Sequence, residues 1–240
     1  SGIGKAIAAS ISEGGKLQQS IGGVETLFKS SAGTVKKYAQ EAYRTTGVSA
    51  NTYMENVTSF AASLVSSLGG NTKKAAKLAN TAMTDMGDNA NKMGTDMDLI
   101  TQTYQSLARG NYAMLDNLKL GYGGTKSEME RLMKDAEKLT GEHYTVGDFA
   151  DTVKAIHAVQ EHLGITGTTA KEAATTLEGS FNSMKASFQD VLGNLSDGEL
   201  DITPSLNALA TTTSNFLFNN FLPMIGRVFK NLPGAIGTFI

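Results

Sequence analysis

Between Ser49 and Gly70 the apolar residues Tyr53, Met54, Val57, Phe60, Ala61, Leu64, Val65 and Leu68 recur at intervals of three and four. That period of 3.6 residues puts them on one face of a helix, whereas a half-buried strand would alternate every second residue. Ser49 offers an oxygen to the first free N–H groups, and Gly69 and Gly70 accept the left-handed backbone that stops a helix. Asn56, Ser59, Ser63 and Ser67 fall off the stripe. The same grammar runs through most of the chain, so the fold class is all-α. The sequence predicts a bundle of amphipathic helices with a long C-terminal helix and an apolar C-terminal segment.

Composition narrows what such helices can do. A chain of 240 residues holds one sizeable domain or two small ones. With 7% aromatics and no Trp, its core is built from Ala, Leu, Met and Val. Ten Met and only three Pro favour adaptable helix-on-helix packing. A net charge of −2 gives no reason to expect nucleic-acid binding, which needs clustered Lys and Arg. The absence of Cys removes disulfides, thiolate metal sites and Cys nucleophiles together. The chain opens on Ser1-Gly2 and stops at Thr238-Phe239-Ile240, which leads us to expect a longer parent chain. Gly2 to Ile11 is too short and Gly-broken for a secretory signal.

Three regions are expected: 1–46, 47–198 and 199–240. In the first, Ile3, Ile7, Ile11, Leu17, Ile21, Val24 and Phe28 suggest two or three short helices punctuated at Gly14-Gly15, Gly22-Gly23 and Gly33. After Gly70, Ala75, Ala79, Ala82, Met83, Met86, Ala90, Met93 and Met97 make a second long stripe running through Gly87 and Gly94. Asp85, Asp88, Asn89, Asp96 and Asp98 lie along it, but without the Gly and closing Glu of a calcium loop. They read as a solvated face and turn. Thr95 is expected to cap a helix from Asp96 to Arg109, followed by a short helix from Tyr112 to Leu120.

The loop Gly121-Tyr122-Gly123-Gly124-Thr125-Lys126-Ser127 has a phosphate-loop look. Thr125 stands where that motif needs Gly, and no buried strand precedes it. A capping box of Thr125 with Glu128 is the better reading. It opens a helix with Met129, Leu132, Met133, Ala136 and Leu139 inward, ending at Gly141. Thr145 and Asp148 open the next, with Phe149, Val153, Ile156, Val159 and Leu163 inward and Gly164 as its stop. His157 and His162 lie about 140° apart on that helix, the wrong spacing for a shared metal. With His143 in a loop, all three read as exposed or edge-of-core imidazoles, and no metal, cofactor or catalytic set is expected. Thr169 and Glu172 suggest another capping box. Behind it Ala173, Leu177, Phe181, Met184, Phe188, Val191 and Leu195 hold a near-heptad stripe, the expected long helix.

The tail from Asn215 differs in kind. Phe216, Phe218, Phe221, Leu222, Ile225, Phe229, Ile236 and Phe239 are its candidate membrane- or assembly-facing residues, with only Arg227 and Lys230 charged among them. Pro223 and Pro233 interrupt the stretch, which argues against an ordinary spanning helix. Burial against protein is favoured over lipid.

Three blocks in order carry a resemblance: Asp116-Asn117-Leu118-Lys119-Leu120-Gly121-Tyr122-Gly123-Gly124-Thr125-Lys126, then Leu132-Met133-Lys134-Asp135-Ala136-Glu137, then Leu163-Gly164-Ile165-Thr166-Gly167-Thr168-Thr169-Ala170-Lys171-Glu172-Ala173. Together they resemble the core region of tail tape measure proteins from long-tailed phages and prophages of Gram-positive bacteria, over roughly Gly47 to Gly198. Ser187-Phe188-Gln189 departs from the family, where Ala-Trp and a polar residue would be expected. The resemblance implies a structural protein, present in a few copies (a trimer is favoured) inside the tail tube, that sets tail length during assembly. It implies tail tube, tail tip and tail assembly chaperone proteins as partners. On infection such a protein leaves the tube for the host envelope, with the host membrane as a further partner and DNA only passing by. It supplies no catalytic residue here. The alternative is a membrane-active, pore-forming helical module that uses the apolar C-terminal segment. The helices of 47–198 are expected to be compact, since Gly-rich loops suit antiparallel neighbours.

Overall fold

The computed structural model describes residues 2–195 and 201–230, with side chains from residue 15 onward except those of Val228 and Phe229. Every regular element among the described residues is helical. The α-helices are α1 (Gly2–Phe28), α2 (Ala32–Thr45), α3 (Ala50–Ser67), α4 (Thr72–Met93), α5 (Met97–Ala108), α6 (Lys126–Thr140), α7 (Phe149–His162), α8 (Thr168–Thr175), α9 (Leu177–Leu195), α10 (Thr203–Ser214) and α11 (Leu222–Lys230). Short 3₁₀ turns cover Lys29–Ser31 and Leu115–Leu118, and a π-helix, Asn215–Phe221, joins α10 to α11.

The local signals explain most of these boundaries. Ser49 Oγ accepts the Thr52 N–H at 3.2 Å, Asn71 Oδ1 caps α4 through Lys74, and Asp148 caps α7 through Asp151. Gly69, Gly141 and Gly164 all adopt positive φ at helix ends. Thr125 Oγ1 accepts the Glu128 N–H at 3.2 Å. The Glu128 carboxylate reaches past the cap to the Gly123 N–H, and Arg131 holds its pKa down to about 2.

Several boundaries fall elsewhere than expected. α1 runs unbroken through Gly14-Gly15 and Gly22-Gly23. Each Gly costs roughly 1 kcal/mol against Ala, but Leu17, Val24 and Phe28 are buried and offset it. α4 stops at Gly94 (φ 66°) instead of continuing to Met97. Asp96, not Thr95, caps α5, while Thr95 Oγ1 donates to Asn89 Oδ1 at 2.8 Å. The helix expected from Tyr112 to Leu120 is only the 3₁₀ turn, ended by a left-handed Lys119 (φ 54°). Leu139 and Leu163 are exposed, each lying in or beyond the last turn of its helix.

The long C-terminal helix is two helices. Thr176 takes extended backbone, and its Oγ1 accepts the Gly179 N–H at 3.0 Å, which starts α9 afresh. Thr169 forms no capping box with Glu172, because Gly167 occupies the N-cap position of α8. A Cβ at Gly179 would stand 2.4 Å from Glu172 O, so the corner requires glycine.

One hydrophobic core gathers the inward faces of α1 to α7. Val24, Phe28, Val35 and Ala39 lie in it with Tyr53, Phe60, Met83, Tyr104, Leu132 and Ile156, so buried residues on both sides of Gly47 share a core. Phe60 is its aromatic centre, 6.5 Å from the Tyr104 ring and 6.1 Å from the Phe149 ring. At the α2–α3 corner, Gly87 lets α4 approach closely: a Cβ there would lie 2.7 Å from Thr46 O. Ala would gain about 1 kcal/mol of helix propensity, but overpacking against backbone costs about 1–3 kcal/mol. We expect Gly87→Ala to destabilise the protein by about 1 kcal/mol net. Urea unfolding would reveal a more stable variant if the contact were soft.

Candidate functional site

The C-terminal aromatic residues sit on the surface formed by α10, the π-helix and α11. Phe216 is half-buried, with the Phe181 ring at 5.2 Å and the Phe221 ring stacked at 5.6 Å. Phe221 and Ile225 are also half-buried. Phe218 is 64% and Leu222 48% exposed. Phe229 lies in α11 with an undescribed side chain, and Ile236 and Phe239 lie outside the described residues. The fold therefore groups Phe216 and Phe221 with Phe181, and leaves Phe218 and Leu222 facing outward. Among the described residues no helix is long and apolar enough to cross a membrane.

Two asparagines anchor this surface. Asn215 Nδ2 donates to Ala173 O and Ala174 O at 3.3 and 3.4 Å, and Asn220 Nδ2 reaches Ala174 O at 3.5 Å and Asn215 O at 3.0 Å. They satisfy carbonyls that the end of α8 leaves without helical partners. The wider turn of the π-helix brings both amides to the same side.

α9 is built with its large residues outward. Ser180, Ser183, Ala186, Ser187, Val191 and Gly193 are buried, whereas Leu177, Phe181, Phe188 and Leu195 are between 37% and 54% exposed. Four members of the heptad stripe, Leu177, Phe181, Phe188 and Leu195, thus face outward, while Ala173 and Val191 are buried and Met184 is half-buried. The signal for this lay in the same window, where Ser180, Ser183 and Ser187 make a second stripe of small residues that lets helices approach closely.

A second group is polar and was expected on a solvated face. Asp85, Asp88 and Asn89 of α4 are fully buried. His157 Nδ1 of α7 lies 3.0 Å from both Asp85 carboxylate oxygens, and its Nε2 is 3.7 Å from Glu161. Gln160 Nε2 donates to Asp85 O at 3.0 Å, and its Oε1 accepts from Asn89 Nδ2 at 2.9 Å. Asn89 Nδ2 also donates to Leu118 O at 2.8 Å. Asp88 accepts the Gly167 N–H at 2.7 Å and the Thr169 N–H at 2.9 Å. Burial pushes the Asp85 carboxyl up to about 6 against the pull of His157, and the Asp85 hydrogen bond raises His157.

Chemically, both imidazole nitrogens face carboxylates, so His157 has an acid on each side instead of a nucleophile to activate. Among the described residues no group of three or more His, Asp or Glu could hold a metal ion. The arrangement does structural work: α4 clasps α7, the turn at Leu118 and the start of α8. His157 itself lies at the edge of the core as the sequence implied. Compared with family models, curated proteins and solved structures, the chain matches none.

Proposed function

We propose that this chain is a non-enzymatic, self-associating structural segment of a phage tail tape measure protein. Its place is inside the tail tube, and after ejection the host envelope. The observation that carries the reading is the set of three sequence blocks and how they interlock. Tyr122 of the first block donates to Asp135 of the second at 2.6 Å, and Arg131 lies 4.3 Å over the Tyr122 ring while donating to Gly121 O. Leu118 of the first block and Gly167 and Thr169 of the third all bond to α4, through Asn89 and Asp88. Residues of all three blocks therefore take part in hydrogen bonds between elements, as do residues outside them such as Ser20 with Asn51 and Tyr53 with Asn80. The outward apolar faces of α9 and the π-helix suit a protein that works by assembly.

Deleting the codons for residues 1–240 in the parent phage tests the proposal. A segment drawn out as helix at 1.5 Å per residue would shorten the tail by about 360 Å in electron micrographs. Tails of unchanged length would remove the ruler role. The membrane-active reading rests on exposed Phe218 and Leu222. It predicts a soluble monomer that releases dye from liposomes.

A further inference from the structure

From Thr203 to Lys230 the chain winds as one uninterrupted helix, α10 passing into the π-helix Asn215–Phe221 and that into α11. At the end of the π-helix the Leu222 N–H donates to Leu217 O, five residues back instead of four. Such winding is rare and mostly confined to single turns. A conformation of that kind persists only where its surroundings fix it.

Two pairs of residues fix it here, and both have the π spacing of five. Asn215 and Asn220 bring their amides together on the carbonyls of Ala173 and Ala174 at the end of α8. Phe216 and Phe221 stack at 5.6 Å, with Phe216 against Phe181 of α9. In an α-helix residues five apart diverge by about 140°, so neither pair would survive. Nothing local marks either pair in the sequence, because its meaning lies in partners on α8 and α9. The two flanks are held unequally. α10 packs closely on α9, whereas α11 packs chiefly on the π-helix itself. Rewinding of the middle segment therefore turns α11 and leaves α10 in place.

We propose that Asn215–Phe221 is a register switch. Gripped by α8 and Phe181, it is a π-helix that absorbs one residue more than an α-helix making the same turn. Released, it rewinds as α-helix and turns α11 relative to α10 by one residue, or roughly 100°. Leu222 is exposed and Ile225 half-buried, and Arg227 lies about 140–160° from both around α11. The turn re-aims the apolar and the cationic sides of α11 in a single step. The grip of α8 thus decides which side of α11 faces a given direction. The switch needs no second copy, and it holds whether or not the chain measures a tail.

With no native Cys, spin labels can be placed in pairs and their separation read by double electron–electron resonance. Glu178→Cys on α9 is the fixed point. Gly226→Cys and Arg227→Cys report α11 from two sides, and Asn207→Cys reports α10. Glu178, Arg227 and Asn207 are exposed, and a Cβ at Gly226 meets no atom within 4 Å. Asn215→Ala with Phe216→Ala breaks both pairs. At least one α11 distance should then shift by about 5–8 Å, the displacement of a helix surface on such a turn, while the Asn207 distance stays. Deleting the exposed Asn219 from that variant removes the surplus residue, and should return α11 to the parent direction and its distances with it. Parent distances that survive Asn215→Ala with Phe216→Ala overturn the proposal, since the π winding would then need no grip. So does a shift that the deletion fails to reverse. A moved Asn207 label, or helicity lost by circular dichroism, overturns it too, because the segment would have come apart instead of rewinding.

Discussion

Replacing Asp88 with Ala is expected to cost about 3 kcal/mol of unfolding free energy. For a chain of this length that corresponds to a fall in Tm of roughly 6–12 °C. Asp88 sits on α4, yet its two oxygens accept the N–H groups of Gly167 and Thr169 at the start of α8. Gly167 brings no side-chain cap of its own, so a carboxylate nearly eighty residues upstream takes the role usually played by the residue before the helix. Alanine would leave both donors without a partner in a buried place, at roughly 1–3 kcal/mol each, less whatever an entering water recovers. Asp88→Asn keeps one acceptor oxygen and should cost about half as much. Hydrogen exchange would localise the effect, with protection lost first at the Gly167 and Thr169 amides. An alanine variant within about 0.5 kcal/mol of the parent would show that the two bonds are worth little.

Asp88 also illustrates what the sequence conceals. The stripes of α3, α6 and α7 were legible because each is decided locally: apolar residues at helical spacing, an Asx or Ser/Thr cap, and a Gly stop. Asp85, Asp88 and Asn89 were misread because carboxylates are ordinarily solvated and their partners lie seventy to eighty residues away. One cue was available. Ala82, Asp85 and Asn89 follow the spacing of the buried face, so the polar residues continue an apolar stripe instead of opposing it. α9 failed differently. Its Phe and Leu stripe and its Ser and Ala stripe both obey helical spacing, and hydrophobicity alone selects the wrong one. Close packing on α1 and α10 has room only for small side chains, so Phe181 and Phe188 face outward. The Gly pairs in α1 are tolerated because the cost of each is modest beside the burial of Val24 and Phe28. The C-terminal tail was legible as apolar, but the π-helix that sorts Phe216 from Phe218 has no local sequence signal.

Raising the pH from 5 to 8 is expected to lower the unfolding free energy by about 2 kcal/mol, and Asp85→Asn should largely abolish the slope. The cause is the clasp between α4 and α7. Asp85 is pushed from 3.8 to about 6, chiefly by burial, with Asp88 and Glu161 adding like charge and His157 opposing. Asp88 is raised by burial too, against the Gly167 and Thr169 bonds. His157 is raised chiefly by its hydrogen bond to Asp85. All three groups hold protons more tightly in the fold than in the unfolded chain. Stability from each is therefore complete below its unfolded pKa and is lost as pH rises through its folded pKa. For Asp85 that window runs from about 4 to about 6, on the order of 3 kcal/mol in all, part of it already lost by pH 5. His157 extends the loss above its ordinary 6.5. Glu128, held down by Arg131, acts in the opposite sense but only between its ordinary range and about 2, below the interval tested. An uncharged Asn at position 85 removes the Asp85 carboxyl and the group that chiefly raises His157 together, which is why one substitution should remove most of the slope and leave only the smaller shares of Asp88 and Glu161. Urea unfolding at pH 5, 6, 7 and 8 measures it directly. Stability that rises with pH in the parent, or an equal slope in Asp85→Asn, would mean that the clasp is not the group that titrates.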